Sequence, residues 1–263
     1  MSANARWEDL APRVISAVVM LVIGAVEIVL GGLPFLLLCA AIGGGMVWEL
    51  SRMIAPAEKT FALALAGLMA LAVLFATMLP GLAAFGLLCV PAAIGALRLP
   101  RERAAFFAFS LAIGLACYAL SEFRDSGGIR FILWLLLVVI ATDVAGYFAG
   151  KTFGGPKFWP AISPKKTWSG TAAGWVAAGV VGLLFSLFTE AGLGLVLISM
   201  LVSFAGQMGD IAESAVKRRM GVKDSSNLIP GHGGLFDRFD AVLGATLFVL
   251  LLSLVLPANP MGF

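Results

Sequence analysis

Residues 214–240 read SAVKRRMGVKDSSNLIPGHGGLFDRFD, and this polar segment separates two long apolar runs. It contains basic residues, carboxylates, a glycine turn and His232, the only histidine of the chain. The whole chain, by contrast, is 60% hydrophobic and only 13% charged. We therefore interpret the remaining sequence as a scaffold that holds this segment.

The apolar runs place the chain among integral membrane proteins. Runs of about 17–25 apolar residues, the length of a transmembrane helix, recur along the whole sequence, whereas a signal peptide would give one run at the start. The pattern predicts an all-α, polytopic membrane helix bundle of about nine transmembrane helices. The predicted spans are residues 14–30, 35–53, 61–78, 82–97, 104–121, 131–150, 170–188, 193–213 and 239–256.

The distribution of Lys and Arg predicts the topology. With these spans, sixteen of the 18 Lys and Arg residues fall on the side of the N-terminus, and only Arg124 and Arg130 fall on the other. Because cytoplasmic loops carry the excess of Lys and Arg, we expect a cytoplasmic N-terminus and cytoplasmic loops at residues 151–168 and 216–238. We divide the chain into an N-terminal transmembrane region of about four spans, residues 1–103, and a C-terminal catalytic region of about five, residues 104–263.

Several ionisable side chains lie within the predicted spans, where they are costly and commonly functional. Glu27 and Glu49 each stand alone, and we interpret them as structural carboxylates that pair or reach an interface. Asp143 shares a helical face with the polar residues Thr142, Tyr147 and Lys151. We expect Asp143 to face a substrate.

One face of the eighth predicted helix carries four polar side chains. Asp210, Glu213, Ser214 and Lys217 follow each other at helical spacing. Glu213 and Lys217, four residues apart, predict an internal salt bridge. Asp210 is left without a cation on its own helix.

Three carboxylates predict a site for a divalent cation. Asp237 and Asp240 share a helical face beyond the polar segment and, with Asp210, offer the oxygen ligands that Mg²⁺ prefers when it carries phosphate groups. Arg238 either clamps a phosphate or pairs with the aspartates. His232 is either a general acid or base or a hydrogen-bonding residue of the turn.

Two cytoplasmic loops, residues 151–157 and 163–167, combine glycines, hydroxyls and lysines, a mixture that binds polyphosphate. Basic loops next to a membrane also set topology and attract anionic lipid headgroups, so both interpretations stay open here. We expect no nucleic-acid partner, because basic and aromatic residues do not alternate on a soluble surface.

The polar segment resembles the signature of phosphatidate cytidylyltransferases, also called CDP-diacylglycerol synthases. Every fixed position is present in Ser214-x-x-Lys217-Arg218, Lys223-Asp224 and Pro230-x-His232-Gly233-Gly234-x-x-Asp237-Arg238-x-Asp240. Residues 143–151, 163–167 and 209–214 extend the resemblance over roughly the C-terminal half. Ser169 and Ala241 depart from the residues that are common in the family, although neither is a proposed ligand.

The resemblance implies transfer of a cytidylyl group from CTP to phosphatidic acid, with pyrophosphate as the second product. It also implies one or two Mg²⁺ ions as cofactor, membrane lipids as partners, a homodimer, and a multi-pass protein of the plasma (inner) membrane whose active site faces the cytoplasm. The expected catalytic residues are Asp210, Asp237, Asp240, His232 and Lys223, of which the three aspartates are the expected metal ligands. The expected substrate-binding residues are Asp143, Lys151, Ser163, Lys165, Lys166, Thr167, Ser214, Lys217, Arg218, Gly233, Gly234 and Arg238.

Two other functions fit parts of the pattern. A CTP-dependent kinase for a polyprenol or phytol-type alcohol would use a similar site and release CDP. A transporter would also carry carboxylates within its spans, but its charges should lie near the membrane midplane and not at one surface.

Overall fold

In the computed structural model, the backbone is described over residues 3–256 and the side chains over residues 12–256. This part of the chain forms eight α-helices and one two-stranded antiparallel hairpin. All eight helices are long and apolar enough to cross a membrane, which confirms the predicted all-α membrane fold. The elements are α1 Ala3–Leu30, α2 Gly32–Ile54, α3 Lys59–Ala76, α4 Gly81–Arg98, α5 Arg103–Phe153, β1 Lys157–Trp159, β2 Ser163–Thr167, α6 Trp168–Ser186, α7 Gly194–Met220 and α8 Phe236–Val255.

Helix α5 accounts for the difference between eight helices and about nine predicted spans. Its 51 residues are interrupted at Gly128, which has a φ of 67° and a ψ of −167°. A helix of that length would extend about 77 Å at 1.5 Å per residue, more than twice the roughly 30 Å of a bilayer's hydrocarbon core. The break separates the fifth and sixth predicted spans, so the two counts agree.

Helix ends and one loop differ from the sequence prediction. Helix α7 continues to Met220, beyond the predicted span 193–213, so that Arg218 lies on the helix and not in the predicted 216–238 loop. Ser214 and Lys217 lie on the same helix, as their predicted helical spacing required. Hydropathy falls where charged residues become frequent, whereas backbone hydrogen bonding continues past them. Between α5 and α6, the segment predicted as an irregular polar loop contains the hairpin β1–β2, in which Lys157 pairs with Thr167.

The chain divides into two compact units. The first unit contains the residues up to Glu122 together with Arg219–Phe239, and the second contains Phe123–Arg218 together with the residues from Asp240 onward. The boundary that we predicted after residue 103 therefore falls within the first unit. That boundary separates a scaffold from a catalytic region, and it stays a prediction, as does the orientation of the N-terminus.

The first unit is packed through small residues on neighbouring helices. On α2, a Cβ atom added to Gly44 would lie 2.7 Å from the carbonyl oxygen of Ala66 on α3. This close approach brings together large side chains that are completely or almost completely buried, namely Met46, Leu50, Leu65 and Met69. Close packing of this kind holds helices together in lipid, because the hydrophobic effect does not drive helices to associate there.

The second unit uses glycines in the same way. A Cβ atom on Gly170 of α6 would lie 2.6 Å from the carbonyl oxygen of Gly146 on α5. Gly209 of α7 would place a Cβ atom 3.1 Å from the Cα atom of Gly244 on α8. These contacts hold α5, α6, α7 and α8 close enough for their polar side chains to meet.

We predict that Gly44→Val lowers the melting temperature of the purified protein in detergent by several degrees, since an overpacked core costs about 1–3 kcal/mol. The matched control is Gly67→Val on α3. A Cβ atom at exposed Gly67 would meet nothing within 4 Å, so its melting temperature should stay close to that of the wild type. Equal losses for both variants in a thermal unfolding assay would contradict this account of the α2–α3 contact.

Candidate functional site

A cavity of about 350 Å³ lies within the second unit. Its walls come from the C-terminal part of α5, from β2 and from α6 and α7. The lining residues are Thr142, Asp143, Gly146, Tyr147, Gly150, Lys151, Lys165, Lys166, Thr167, Gly170, Thr171 and Gln207. Five of the predicted substrate-binding residues, Asp143, Lys151, Lys165, Lys166 and Thr167, therefore share one cavity.

The start of α6 fixes one wall of this cavity. Thr167 is the N-cap of α6, and its hydroxyl oxygen accepts a hydrogen bond from the backbone N–H of Gly170 at 3.2 Å. A Cβ atom on Gly150 would lie 3.0 Å from the same hydroxyl oxygen. Thr167 thus has a structural role in addition to its position in the cavity, because a threonine N-cap satisfies an otherwise unpaired helix N–H group.

A row of polar side chains on α7 leads to the cavity. Three residues of α7, spaced four apart, accept side-chain hydrogen bonds from neighbouring helices. Ser199 accepts from Trp134 at 2.9 Å, and Ser203 accepts from Thr142 at 2.7 Å. Gln207 accepts from Trp175 at 3.0 Å. The indole N–H of Trp175 bonds the amide oxygen of Gln207, which turns the amide nitrogen towards Thr171, whose carbonyl oxygen lies 3.4 Å away.

Asp210 continues this row, one turn beyond Gln207. One of its carboxylate oxygens lies 2.5 Å from the ammonium nitrogen of Lys166, and the other lies 3.3 Å from the hydroxyl of Ser214. The positively charged partner of Asp210, which α7 itself does not provide, is therefore Lys166 of strand β2. Both side chains of this ion pair are partly exposed, at 26% for Lys166 and 32% for Asp210.

The second ion pair on α7 was predicted from its spacing and is present. The ammonium nitrogen of Lys217 lies 2.7 Å from a carboxylate oxygen of Glu213, and the side chains are only 10% and 1% exposed. Lys217 was also expected to bind substrate. Its burial against Glu213 gives it a structural explanation, and substrate binding by Lys217 stays a prediction.

Asp240 brings negative charge from α8 to the same region of the second unit. Its electrostatic neighbours include Asp210, Asp143 and Lys217. One of its carboxylate oxygens accepts a hydrogen bond from the backbone N–H of Ala241 at 2.7 Å. Like charges gathered in a low-dielectric region repel unless a cation joins them.

The donor set of the second unit fits Mg²⁺. Within residues 12–256, no group of three or more His, Cys, Asp or Glu side chains is arranged to hold a metal ion. Mg²⁺ commonly binds through only one or two carboxylates and takes its other ligands from water and substrate phosphates. Asp210 and Asp240, which interact electrostatically, would provide such a pair, and Mg²⁺ at these residues stays a proposal.

Asp237, the third predicted metal ligand, belongs to the first unit, where the 221–235 loop surrounds its carboxylate. Its Oδ2 atom accepts three hydrogen bonds from this loop: from the backbone N–H groups of Ser225 at 2.8 Å and Gly234 at 2.7 Å, and from the Ser225 hydroxyl at 2.8 Å. Gly233 has a φ of 84°, and a Cβ atom there would lie 2.7 Å from the same oxygen. The loop therefore fixes the orientation of Asp237.

Glu49 of α2 holds the same loop from the other side. It is completely buried, and its carboxylate accepts hydrogen bonds from the Ser226 hydroxyl and from the backbone N–H groups of Leu235 and Phe236. The Ser225 hydroxyl also lies within hydrogen-bond distance, at 3.1 Å. We predicted a structural carboxylate at this position but no link to the polar segment. The sequence did contain an indication of such a link, because an ionisable residue within a transmembrane span needs a polar partner.

His232 hydrogen-bonds within the first unit. Its Nδ1 atom lies 2.8 Å from the hydroxyl of Ser16 on α1, and its backbone N–H donates to the carbonyl of Ile229 at 2.9 Å. The same hydroxyl lies 2.9 Å from the carbonyl oxygen of Pro230. This geometry supports the turn interpretation, and a role in proton transfer stays a prediction.

The remaining predicted residues lie at or near the protein surface. Lys223, Arg218 and Arg238 are exposed, and Ser163 is half-buried at the start of β2. Gly234, in contrast, is buried: a Cβ atom there would overlap the Ser225 hydroxyl and the Glu49 carboxylate. Gly233 and Gly234 thus have a packing explanation, and their binding of substrate stays a prediction.

Comparison with known proteins extends over nearly the whole chain. The model of a family described as the cytidylyltransferase family matches residues 11–256. A phosphatidate cytidylyltransferase of Bacillus subtilis is 34% identical, over 93% of this chain and 97% of its own length. One of Brucella suis is 35% identical over 94% of each chain, and one of Staphylococcus saprophyticus is 41% identical over 58% of this chain and 59% of its own.

We predict that Lys166→Ala increases the affinity for Mg²⁺ in the absence of nucleotide, because Lys166 would compete for Asp210 with a cation at the proposed site. A partly exposed ion pair is worth up to about 1 kcal/mol, so the Mg²⁺ concentration that gives half of the maximal thermal stabilisation should fall about two- to fivefold. Lys165→Ala is the control: Lys165 lines the same cavity and is exposed, and its variant should stay within about twofold of the wild type. Weaker Mg²⁺ binding by Lys166→Ala would contradict the competition.

Proposed function

Because the chain belongs to the cytidylyltransferase family, we propose that it is a phosphatidate cytidylyltransferase, which transfers CMP from CTP to phosphatidic acid and produces CDP-diacylglycerol and pyrophosphate for phospholipid synthesis. The observation that carries this proposal is the cavity of the second unit, where Lys151, Lys165 and Lys166 lie together with Asp143. Ammonium groups beside carboxylates suit a triphosphate that arrives with a cation.

The reaction needs positioning and charge neutralisation more than it needs a base. A phosphate oxygen of phosphatidic acid attacks the α-phosphorus of CTP, a new P–O bond forms, and the bond to the β-phosphate oxygen breaks as pyrophosphate leaves. The attacking oxygen is already an anion, so no side chain has to remove a proton from it. Two anions must instead approach each other, and fixed positive charges lower the cost of that approach.

The lysines of the cavity supply such charges. Lys165 and Lys166 are consecutive residues of β2 and both line the cavity, so the hairpin would present two ammonium groups to a triphosphate bound there. Lys151 lies at the other wall, with its ammonium nitrogen 5.7 Å from the ring centroid of Tyr147. A cation at that distance from an aromatic ring experiences a weak attraction, and the exposed Lys151 would be available to a phosphate group in the cavity.

Asp210 and Asp240 are the side chains that would hold Mg²⁺, and Asp237 remains the third predicted ligand. When bound, Mg²⁺ supplies neutralisation of the charge that develops on the phosphate oxygens. Asp143 lines the cavity and is an electrostatic neighbour of Asp240, and we assign it to substrate orientation. The homodimer expected from the sequence stays a prediction.

The membrane setting suits this chemistry. We propose that the protein lies in the plasma (inner) membrane with its cavity open to the cytoplasm, because CTP is water-soluble and the hairpin that carries Lys165 and Lys166 belongs to the side rich in Lys and Arg. Phosphatidic acid can then remain in the bilayer with its headgroup near the lysines. The exposed apolar side chains of the helices, such as Leu137 and Ile140 on α5, suit contact with acyl chains.

We predict that purified protein incubated with CTP, Mg²⁺ and phosphatidic acid forms a CDP-lipid and pyrophosphate in equal amounts. Asp210→Asn should lower this rate by at least about 100-fold, since it removes a carboxylate of the proposed cation site. The control is Asp125→Asn, at an exposed position close to the break in α5, which should retain wild-type turnover. Release of CDP from CTP with an alcohol acceptor would instead indicate a lipid kinase, and no product with either acceptor would contradict the proposal.

The proposed topology has its own test. A cysteine introduced as Lys157→Cys should react with a membrane-impermeant maleimide only after cells are permeabilised, whereas Asp125→Cys should react in intact spheroplasts. Both positions are exposed, while Cys39 and Cys117 of the natural sequence are buried. The unsubstituted protein gives the background labelling. Labelling of Lys157→Cys in intact spheroplasts would reverse the orientation.

A further inference from the structure

Glu49 and the 221–235 loop form a hydrogen-bond network that lies entirely within the first unit. Oε1 of Glu49 accepts from the Ser226 hydroxyl at 2.6 Å and from the Leu235 backbone N–H at 2.9 Å. Oε2 accepts from the Phe236 backbone N–H at 2.7 Å and lies 3.1 Å from the Ser225 hydroxyl. Four donor groups, three from the loop and one from the first residue of α8, thus surround one carboxylate of an apolar helix.

Ser225 joins this network to Asp237. Its hydroxyl oxygen lies 2.8 Å from Oδ2 of Asp237 and 3.1 Å from Oε2 of Glu49, and its backbone N–H also donates to Asp237. A hydroxyl has one proton and donates to one carboxylate at a time. The shorter distance favours Asp237, so Glu49 and Asp237 are held on either side of a single hydroxyl group.

The neighbouring glycines show how closely these groups are packed. Gly234 cannot carry a side chain, because a Cβ atom there would overlap both the Ser225 hydroxyl and the Glu49 carboxylate. Since each of these groups is fixed by several others, a displacement of Glu49 must displace Ser225, and a displacement of Ser225 must change the donors around Asp237.

We propose that Glu49 and Ser225 are positioning residues for Asp237, the predicted metal ligand of the first unit. This inference rests on the proposed function for its kinetic consequences. Glu49 is completely buried, so its carboxylate is not accessible to a substrate. It acts on the loop, the loop holds Ser225, and Ser225 orients the carboxylate of Asp237. A function limited to anchoring the loop would give Ser225 and Ser226 equal importance.

The adjacent serines provide a matched test. Both hydroxyls lie within hydrogen-bond distance of Glu49, but only the Ser225 hydroxyl also reaches Asp237. We expect Ser225→Ala to lower kcat about tenfold, with the KM for phosphatidic acid within about twofold of the wild type, whereas Ser226→Ala should keep at least about half of the wild-type kcat. The two variants should lose similar amounts of thermal stability. Equal kinetic effects of the two substitutions would overturn the proposal.

A second measurement does not depend on turnover. Without nucleotide, Ser225→Ala should raise the Mg²⁺ concentration for half-maximal thermal stabilisation at least about threefold, and Ser226→Ala should leave it within about twofold of the wild type. Glu49→Gln retains the shape of the side chain but places an NH₂ group against N–H and O–H donors. It should therefore also raise the Mg²⁺ concentration for half-maximal thermal stabilisation. If the wild type forms no CDP-lipid, the proposed function fails, while the Mg²⁺ dependence still tests the positioning. An unchanged Mg²⁺ dependence in Ser225→Ala would overturn it.

Discussion

A carboxylate enclosed by apolar helices must be met by hydrogen-bond donors or by a cation, because an unpaired charge in such surroundings costs several kcal/mol. The two units satisfy this requirement differently. In the first, Glu49 is completely buried, and two hydroxyls and two backbone N–H groups lie within hydrogen-bond distance of its carboxylate. In the second, lysines meet Asp210 and Glu213. The conformation of the 221–235 loop and the position of the β1–β2 hairpin both follow from these contacts.

Glycine makes the contacts geometrically possible. Helices in lipid associate through close packing, and in this chain the closest approaches occur where polar groups must meet. Gly146 and Gly170 bring α5 and α6 together at the cavity, and Gly209 lets α8 approach α7 directly beside Asp210. Gly234 leaves room for the carboxylate of Glu49. The presence of glycine at these positions thus serves both the packing of the helices and the polar site.

The sequence predicted what depends on local spacing. Apolar runs gave the spans, and the four-residue interval gave the Glu213–Lys217 pair. Contacts between distant segments could not be derived in this way: Glu49 meets donors 176 and 187 residues further along the chain, and Asp210 meets a lysine from a hairpin that has no hydropathy signal. Gln207 was overlooked because an amide among apolar residues is inconspicuous, although its place in the cavity depends on Trp175 and Thr171.

The two ion pairs of α7 differ in the free energy needed to separate their partners. This difference matters for the proposed binding of a cation and a triphosphate at a site rich in lysine and aspartate. Lys217 and Glu213 are almost completely buried, and separating such a pair leaves an uncompensated charge at a cost of about 3–5 kcal/mol. Lys166 and Asp210 are about a quarter to a third exposed, and a pair of that kind contributes about 0–1 kcal/mol because water replaces each partner. The first pair therefore stays closed and keeps α7 intact near the cavity. The second can open with little loss to the fold, which the proposed binding of a phosphate by Lys166 and of a cation by Asp210 requires.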